Sequence, residues 1–250
     1  MSITRAIHHF THLTKRLSTI GRRKTWANSQ HYELNHAIYF MKSPEFRALA
    51  ASTHSGERDA SKGYVHDLLL SEFFNGDRSA WSGFVREITA KKCMDIGPCV
   101  YSPLACWDVA SERYVVEPLI EPIRRWQKEN FGFSVFDGLQ CHAEGAEILL
   151  QNLVGKIDGA IYCRNCIDHT PHWAFIMANI SQYAAPGCRL LFWADLDHRG
   201  AANEGHYDIT TDVPAFRRLV ELLGFEVVRE FEHKNRQELN WGCYAIKQGN

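Results

Sequence analysis

The chain has 250 residues, of which 45% are hydrophobic and 23% are charged, enough for one well-buried core with or without an appendage. Its formal net charge of -1 gives no overall attraction to nucleic acid or to an anionic membrane, so neither is predicted as a partner of the whole molecule. No segment approaches the roughly 20 apolar residues of a membrane span or resembles a secretory signal, and the eight cysteines are too scattered for a disulfide scaffold, so we predict a cytoplasmic protein.

The first 32 residues contain no acidic side chain. Apolar residues recur there at helical spacing, interspersed with the basic residues Arg5, Lys15, Arg16, Arg22, Arg23 and Lys24. This pattern predicts a basic amphipathic helix. Three interpretations stay open: peripheral contact with an anionic membrane surface, an organellar transit peptide, or packing on the domain that follows.

Further helices are predicted as far as residue 90. The stretches "SPEFRALAAS" and "VHDLLLSEFFNGDRSAWSGFVREITA" place apolar residues on one face at helical period. Between them, "STHSGERDASKG", residues 52–63, is polar and contains glycine, so it is predicted as a linker or mobile loop. We therefore divide the chain into a helical basic N-terminal extension, residues 1–62, and a main domain, residues 63–250.

From Lys91 onward, short apolar runs alternate with segments of helical length. The predicted strands are "KCMDI", "RYVVEP", "GLQCHAE", "DGAIYC", "CRLLFWADL", "FEVVREFEH" and "WGCYAIKQ". Such alternation is typical of parallel βαβ units in a sheet with helices on both faces. The last two strands are too close in sequence for a crossover helix, so they are predicted to form an antiparallel hairpin with a polar loop around residues 234–239.

Candidate ligand-binding residues follow the strands, because ligands of open parallel sheets bind at the carboxyl ends of the strands. The first strand ends at Asp95, Gly97 and Pro98, and Glu117 follows the second, 22 residues after Asp95. Two carboxylate oxygens at that position match the vicinal hydroxyls of a ribose. In the alternative interpretation, Asp95 only forms a turn and Glu117 is a surface acid.

Metal binding is not predicted. The stretch "CRNCIDH" spaces Cys163, Cys166 and His169 like half of a zinc site, but no second pair stands at a matching distance. The later loop "WADLDHRGAANEGHYD" offers Asp, Glu and His ligands, yet their spacing fits no fixed pattern. We prefer ordinary packing for the cysteines and a solvated loop for the second stretch.

The whole series resembles the class I, Rossmann-like S-adenosylmethionine-dependent methyltransferases. "CMDIGPC" is similar to their first motif, Glu117 to their ribose-binding acid, "CHAEG" to the adenine-side motif and "RNCIDHTPHW" to the segment after the fourth strand. "YAAPGCRLLFWADLDH" and "LLGFEVV" are similar to the approaches to the fifth and sixth strands. The resemblance covers residues 91–247 and implies an α/β fold with a doubly wound, mostly parallel seven-stranded sheet whose last strand is antiparallel.

By the same resemblance, the cofactor is S-adenosylmethionine. Asp95, Gly97 and Pro98 would form the cofactor turn, Glu117 would hold the ribose, His142 and Ala143 would border the adenine, and the backbone around Asn165 would face the methionine part. Departures from the family pattern are Cys99 and Tyr101, which stand where the second and third glycines are usual, and His142, which stands where an acid often meets the adenine amino group.

Methyl transfer to a hydroxyl also needs a group that removes the proton of the acceptor, and histidine titrates near neutral pH. His169, His198 and His206 are the candidates, since they follow the fourth and fifth strands. We therefore predict methyl transfer to a small-molecule or saccharide acceptor, at oxygen. A catalytically silent module that binds a partner or a membrane surface is the alternative, and a nicotinamide dehydrogenase is disfavoured because the turn has lost two glycines. The sequence does not determine the oligomeric state.

Overall fold

The computed structural model describes residues 26–55, 58–197, 206–207, 209, 212–234 and 239–249. The predicted basic N-terminal helix, residues 1–24, lies outside these ranges, and so does His198. Within them, no helix is both long and apolar enough to cross a bilayer.

In the described part, a helix stands between successive strands from the first to the sixth, and it is an α-helix in all but two of these connections. The α-helices of the described part are α1 (Trp26–Met41), α2 (Pro44–Ser55), α3 (Arg58–Phe74), α4 (Arg78–Ile88), α5 (Ile120–Phe131), α6 (Trp173–Tyr183) and α7 (Val213–Leu222). The strands are β1 (Lys92–Ile96), β2 (Glu112–Val116), β3 (Gln140–His142), β4 (Ala160–Arg164), β5 (Arg189–Asp197), β6 (Phe225–Lys234) and β7 (Leu239–Lys247). Short 3-10 helices cover Pro103–Cys106, Gln151–Leu153 and Ile167–His169.

The seven strands form one sheet in the order β3-β2-β1-β4-β5-β7-β6. Strands β1 to β5 run parallel to one another, whereas β7 is antiparallel to both β5 and β6. The predicted α/β sheet with a reversed last strand is therefore confirmed. The predicted hairpin is confirmed as well, since β6 and β7 pair from Phe225↔Lys247 to Lys234↔Leu239.

Two connections differ from the predicted alternation. The β1–β2 and β3–β4 connections contain 3-10 helices, Pro103–Cys106 and Gln151–Leu153, in place of α-helices. In the first connection, Pro98 and Pro103 each lack the backbone N–H that an α-helix needs in its interior. In the second, the apolar run "AEILLQNL" has helical length, but only its last residues coil into one short turn.

The helical layer before β1 packs on the sheet. One face of the sheet lies against α6 and α7, and the other shares a core with α1 to α5 that contains Met41, Phe46, Leu69, Phe84, Ile123 and Tyr162. The stretch 52–63, predicted as a loop, is helical up to Ser55 and again from Arg58. Its polar residues are compatible with a helix, and Gly63 alone costs about 1 kcal/mol relative to alanine. The division of the chain near residue 62 stays a prediction.

The strand register places the candidate residues at one edge of the sheet. Ile96, the last residue of β1, is opposite both Val116 of β2 and Cys163 of β4. The residues that follow these three positions therefore lie at the same level of the sheet. A cleft opens at this edge.

Candidate functional site

The turn after β1 brings the backbone close to its neighbours. Gly97 has φ +71°, its N–H donates to the carbonyl of Val116 at 2.9 Å, and a side-chain carbon added there would overlap the Cβ of Cys166. Cys99 also has positive φ, at 53°. A side chain with a Cβ is strained in this region, so Cys99 occupies a position that suits glycine better.

Glu117 connects this turn to the end of β2. Its side chain is buried, with 6% exposure of the residue. Oε2 accepts the backbone N–H of Cys99 at 3.0 Å, and Oε1 accepts that of Leu119 at 2.9 Å. Burial raises the pKa of Glu117, although these two hydrogen bonds favour the carboxylate. Glu117 is thus a buried acid that holds the turn in place, and not a surface residue.

The cleft beside Glu117 encloses about 660 Å³, including the part that is open to solvent. Its walls come from five segments: the turn after β1, the end of β2, the β3–β4 connection, the loop after β4 and the start of α6. Helix α1 covers it from the side. The lining residues are Gln30, Glu33, Gly97, Cys99, Val116, Glu117, Pro118, Leu119, Ala146, Glu147, Asn165, Cys166, His169, Thr170 and Ile176. Most of this surface is apolar, with Glu117 and the His169 region as its polar parts.

The loop after β4 turns sharply into the cleft. Asn165 has φ 51°, and its N–H donates to the carbonyl of Trp193 at 2.7 Å. The Sγ atoms of Cys163 and Cys166 lie 3.3 Å apart, and both cysteines are free thiols. Asn165 and Cys99 both occupy the left-handed region, and non-glycine residues in this region cluster at functional sites.

His169 lies between two carboxylates. Its Nδ1 is 3.2 Å from Oε1 of Glu33 on α1, and its Nε2 is 3.8 Å from Oδ1 of Asp168. Burial alone would lower the pKa of His169, but the charges of Glu33 and Asp168 outweigh it and raise the pKa to about 10. Burial would raise the pKa of Glu33, yet the charge of His169 and its hydrogen bond lower it. At neutral pH the pair is therefore an imidazolium and a carboxylate.

His206 joins the same group from the segment after β5. Its Nδ1 is 2.6 Å from Oδ2 of Asp168, a residue with no solvent exposure. The backbone N–H of Tyr207 donates to the carbonyl of Asp168 at 2.6 Å, and the rings of His169 and His206 are 4.3 Å apart. Two of the three predicted histidines therefore lie together.

The predicted cofactor residues divide into three groups. Gly97, Glu117 and Asn165 line the cleft. Asp95 and Pro98 line a second cavity of about 980 Å³, which lies on the other side of the turn under the N-terminal helices and shares Gly97 and Cys99 with the cleft. The ring of His142 stacks on Tyr114 at 6.3 Å. His142 and Ala143 are not among the described residues that line the cleft, and Ala146 and Glu147 of the same connection line it instead.

No sequence pattern marks Gln30 and Glu33 as site residues. They belong to α1, in the helical third, and no local pattern connects them with strand ends that are distant in sequence. The absence of acidic residues before Glu33 was the only signal at that position, and it points to no ligand.

No family model matches this sequence, and no curated protein matches it. Among the solved structures with a similar fold are the following two. The (4+2)-cyclase SpnF is 12% identical, with 68% of this chain and 81% of that chain covered and a TM-score of 0.50. A protein of Galdieria sulphuraria, provisionally described as a sarcosine dimethylglycine methyltransferase, is 9% identical, with 68% and 82% covered and a TM-score of 0.52. The chain therefore has the Rossmann-like methyltransferase fold that its sequence predicts. Identities this low establish the fold and not the reaction, and one of the two structures is a cyclase.

Proposed function

We propose that this chain, which has the Rossmann-like methyltransferase fold, binds S-adenosylmethionine in the cleft and transfers its methyl group to an oxygen of a small-molecule or saccharide acceptor. The observation that carries the proposal is the buried carboxylate of Glu117, which stands in the cleft at the carboxyl end of β2. In open parallel sheets an acid at this place binds the hydroxyls of a ribose.

The residues around Glu117 fit a nucleoside. A carboxylate has about four lone-pair directions, and the backbone N–H groups of Cys99 and Leu119 use two of them. The others can accept the two hydroxyls of a ribose. Apolar walls at Leu119 and Ala146 suit a flat base, and Gly97 lets the backbone approach the ligand closely.

S-adenosylmethionine, when bound, supplies an electrophilic methyl group. The protein then has to hold the acceptor in line with this group and to act on the hydroxyl proton of the acceptor. His169 and His206 are the described histidines beside the cleft, and their contacts with Glu33 and Asp168 fix their orientation. His206 would accept this proton. His169, whose pKa is raised to about 10, is already an imidazolium at neutral pH and would donate a hydrogen bond to the acceptor oxygen. The two histidines together are the reason for proposing oxygen as the acceptor atom. His198 stays a prediction.

Titration calorimetry of the purified chain with S-adenosylmethionine, S-adenosylhomocysteine and NADH tests the cofactor. We expect binding of the two adenosyl compounds in the micromolar range and none of NADH. Acceptor pools of saccharides and hydroxylated small molecules are then screened for formation of S-adenosylhomocysteine, and NMR of the product identifies the methylated atom. If the chain binds none of the three compounds, the proposed methyl transfer is refuted. The alternative of a catalytically silent binding module is then preferred.

A further inference from the structure

Three side chains from distant parts of the sequence meet beside the cleft. Glu33 comes from α1, His169 from the 3-10 helix Ile167–His169 after β4, and His206 from the segment after β5. One potential metal-binding atom of each residue lies within 4.8 Å of those of the other two. Two imidazoles and one carboxylate in this arrangement are a familiar donor set for a divalent metal ion.

Two of the three donors are already at the spacing that a bound ion requires. Oε1 of Glu33 and Nδ1 of His169 are 3.2 Å apart. Two ligands that each bind zinc at about 2.0 Å with tetrahedral geometry are about 3.3 Å apart. The donor atom of His206 lies within 4.8 Å of those of Glu33 and His169, so a small movement brings it to the same spacing.

Asp168 orients His206 in the way that carboxylates orient metal-bound histidines. Its Oδ2 is 2.6 Å from Nδ1 of His206, and the residue is completely buried. When Nδ1 donates its proton to Asp168, the lone pair of the neutral ring is on Nε2, which is then the metal-binding atom. Such carboxylate–histidine pairs fix the tautomer and the direction of metal ligands.

We propose that Glu33, His169 and His206 bind a divalent transition-metal ion of the zinc class, with Asp168 as the residue that positions His206. Two imidazole ligands favour zinc or cobalt over magnesium or calcium, which prefer oxygen ligands. Three protein ligands leave a fourth position for an oxygen. If the proposed function holds, that oxygen is the acceptor hydroxyl, whose pKa a bound ion would lower. With the ion bound, His169 and His206 would act as its ligands and not on the proton of the acceptor.

A proton is the competing occupant of this site, because an imidazolium between two carboxylates makes the same contacts. The test uses the full chain after removal of metals by a chelator, with no nucleoside present. Zn²⁺ is titrated by calorimetry, and Co²⁺ is titrated by absorption spectroscopy. We expect one equivalent of each ion and a Co²⁺ spectrum without the sulfur-to-cobalt charge-transfer band that the thiols of Cys163 and Cys166 would produce.

Variants locate the ion. Glu33→Gln and His206→Ala are expected to weaken Zn²⁺ binding at least about tenfold, and Asp168→Asn about 10- to 100-fold, as for other residues that orient ligands. His172→Ala is the matched control, because this histidine is exposed and close in sequence to the site. Its affinity for Zn²⁺ should equal that of the unaltered chain.

Three results would overturn the inference: no stoichiometric binding of either ion, a charge-transfer band that shows thiolate ligation, or unchanged affinity in both Glu33→Gln and His206→Ala. The Co²⁺ spectrum of the unaltered chain shows whether sulfur binds the ion, and it tests the inference even if every variant fails to fold. Calorimetry with S-adenosylmethionine on the metal-depleted chain separates the two proposals. If the chain binds S-adenosylmethionine but not Zn²⁺, only the metal site is refuted. If it binds Zn²⁺ but not S-adenosylmethionine, only the proposed function is refuted.

Discussion

Replacement of Glu117 by alanine is expected to weaken the binding of S-adenosylmethionine by about 1 to 3 kcal/mol, the range for lost hydrogen bonds to a charged group. This corresponds to a roughly 5- to 150-fold increase in Kd. The structure also predicts a cost in stability. Without the carboxylate, the backbone N–H groups of Cys99 and Leu119 lose their acceptors, and each unpaired buried donor costs about 1 to 3 kcal/mol.

Two effects therefore contribute to the loss of affinity: missing hydrogen bonds to the ribose, and displacement of the turn at Cys99. Calorimetry with a second ligand separates them. S-adenosylhomocysteine and its 2′-deoxy analogue are each titrated into the unaltered chain and into Glu117→Ala. If Glu117 binds the 2′-hydroxyl, the unaltered chain should bind the deoxy analogue more weakly than S-adenosylhomocysteine. The variant Glu117→Ala should bind the two ligands with nearly equal affinity.

A matched control is Glu121→Ala, which removes the same charge from an exposed position on the neighbouring helix α5. It should bind both ligands like the unaltered chain. The ribose assignment is refuted if the unaltered chain binds the deoxy analogue as tightly as the parent compound. It is also refuted if Glu117→Ala weakens the binding of both ligands equally, because the effect then comes from the turn alone.

Three further changes probe the same edge of the sheet. Burial raises the pKa of Asp95 to about 8, above its unfolded value, so the folded chain loses stability as pH rises from about 4 to 8. At about 1.4 kcal/mol per pKa unit, the free energy of unfolding of Asp95→Asn should exceed that of the unaltered chain by more than about 2 kcal/mol at pH 8. At pH 4 the two values should be equal. The reasoning is contradicted if the variant and the unaltered chain have the same denaturation midpoint at pH 8 as well as at pH 4. In Gly97→Ala, the added methyl group would overlap Cys166 at a residue with left-handed φ. We expect the free energy of unfolding to fall by about 1 to 3 kcal/mol, as measured by denaturation, and cofactor binding to be lost, as measured by calorimetry. A stable variant that still binds would show that the close approach is not needed. Arg164→Met removes the two hydrogen bonds that Arg164 donates to the carboxylate of Glu72, and we expect the free energy of unfolding to fall by about 1 to 3 kcal/mol. Adding Glu72→Gln should restore part of this loss, because the unpaired charge is then gone. If denaturation shows the double variant to be no more stable than Arg164→Met, the lost pairing is not the cause.

The strands and Glu117 were predictable because their signals are local. Apolar runs, turn residues and the distance from Asp95 to Glu117 are all visible in the sequence, and parallel pairing places the ends of β1 and β2 at one level. Glu33 was not predictable, since its contact with His169 depends on how α1 packs against the sheet. A contact between segments so far apart leaves no periodic pattern in the chain.

The proposed metal ligands Glu33, His169 and His206 were also not predictable as a group. In the sequence, His169 has ligand-like spacing only with Cys163 and Cys166, and His206 stands near acids only within its own loop. The structure assembles its donor group from one residue of each of three segments. Spacing rules detect sites within one or two segments, and they cannot detect a site that tertiary packing completes.

The β1–β2 connection contains only a short 3-10 helix, Pro103–Cys106, and α3 packs against that turn. The face of the sheet that a crossover helix would usually shield is thus covered by a helix that precedes the first strand. Helix α3 also contacts β6 and β7, so the helix that covers these last strands is synthesised well before them. Substitutions of the buried α3 residues Leu69 and Phe73 should consequently destabilise the sheet as much as substitutions in its own strands.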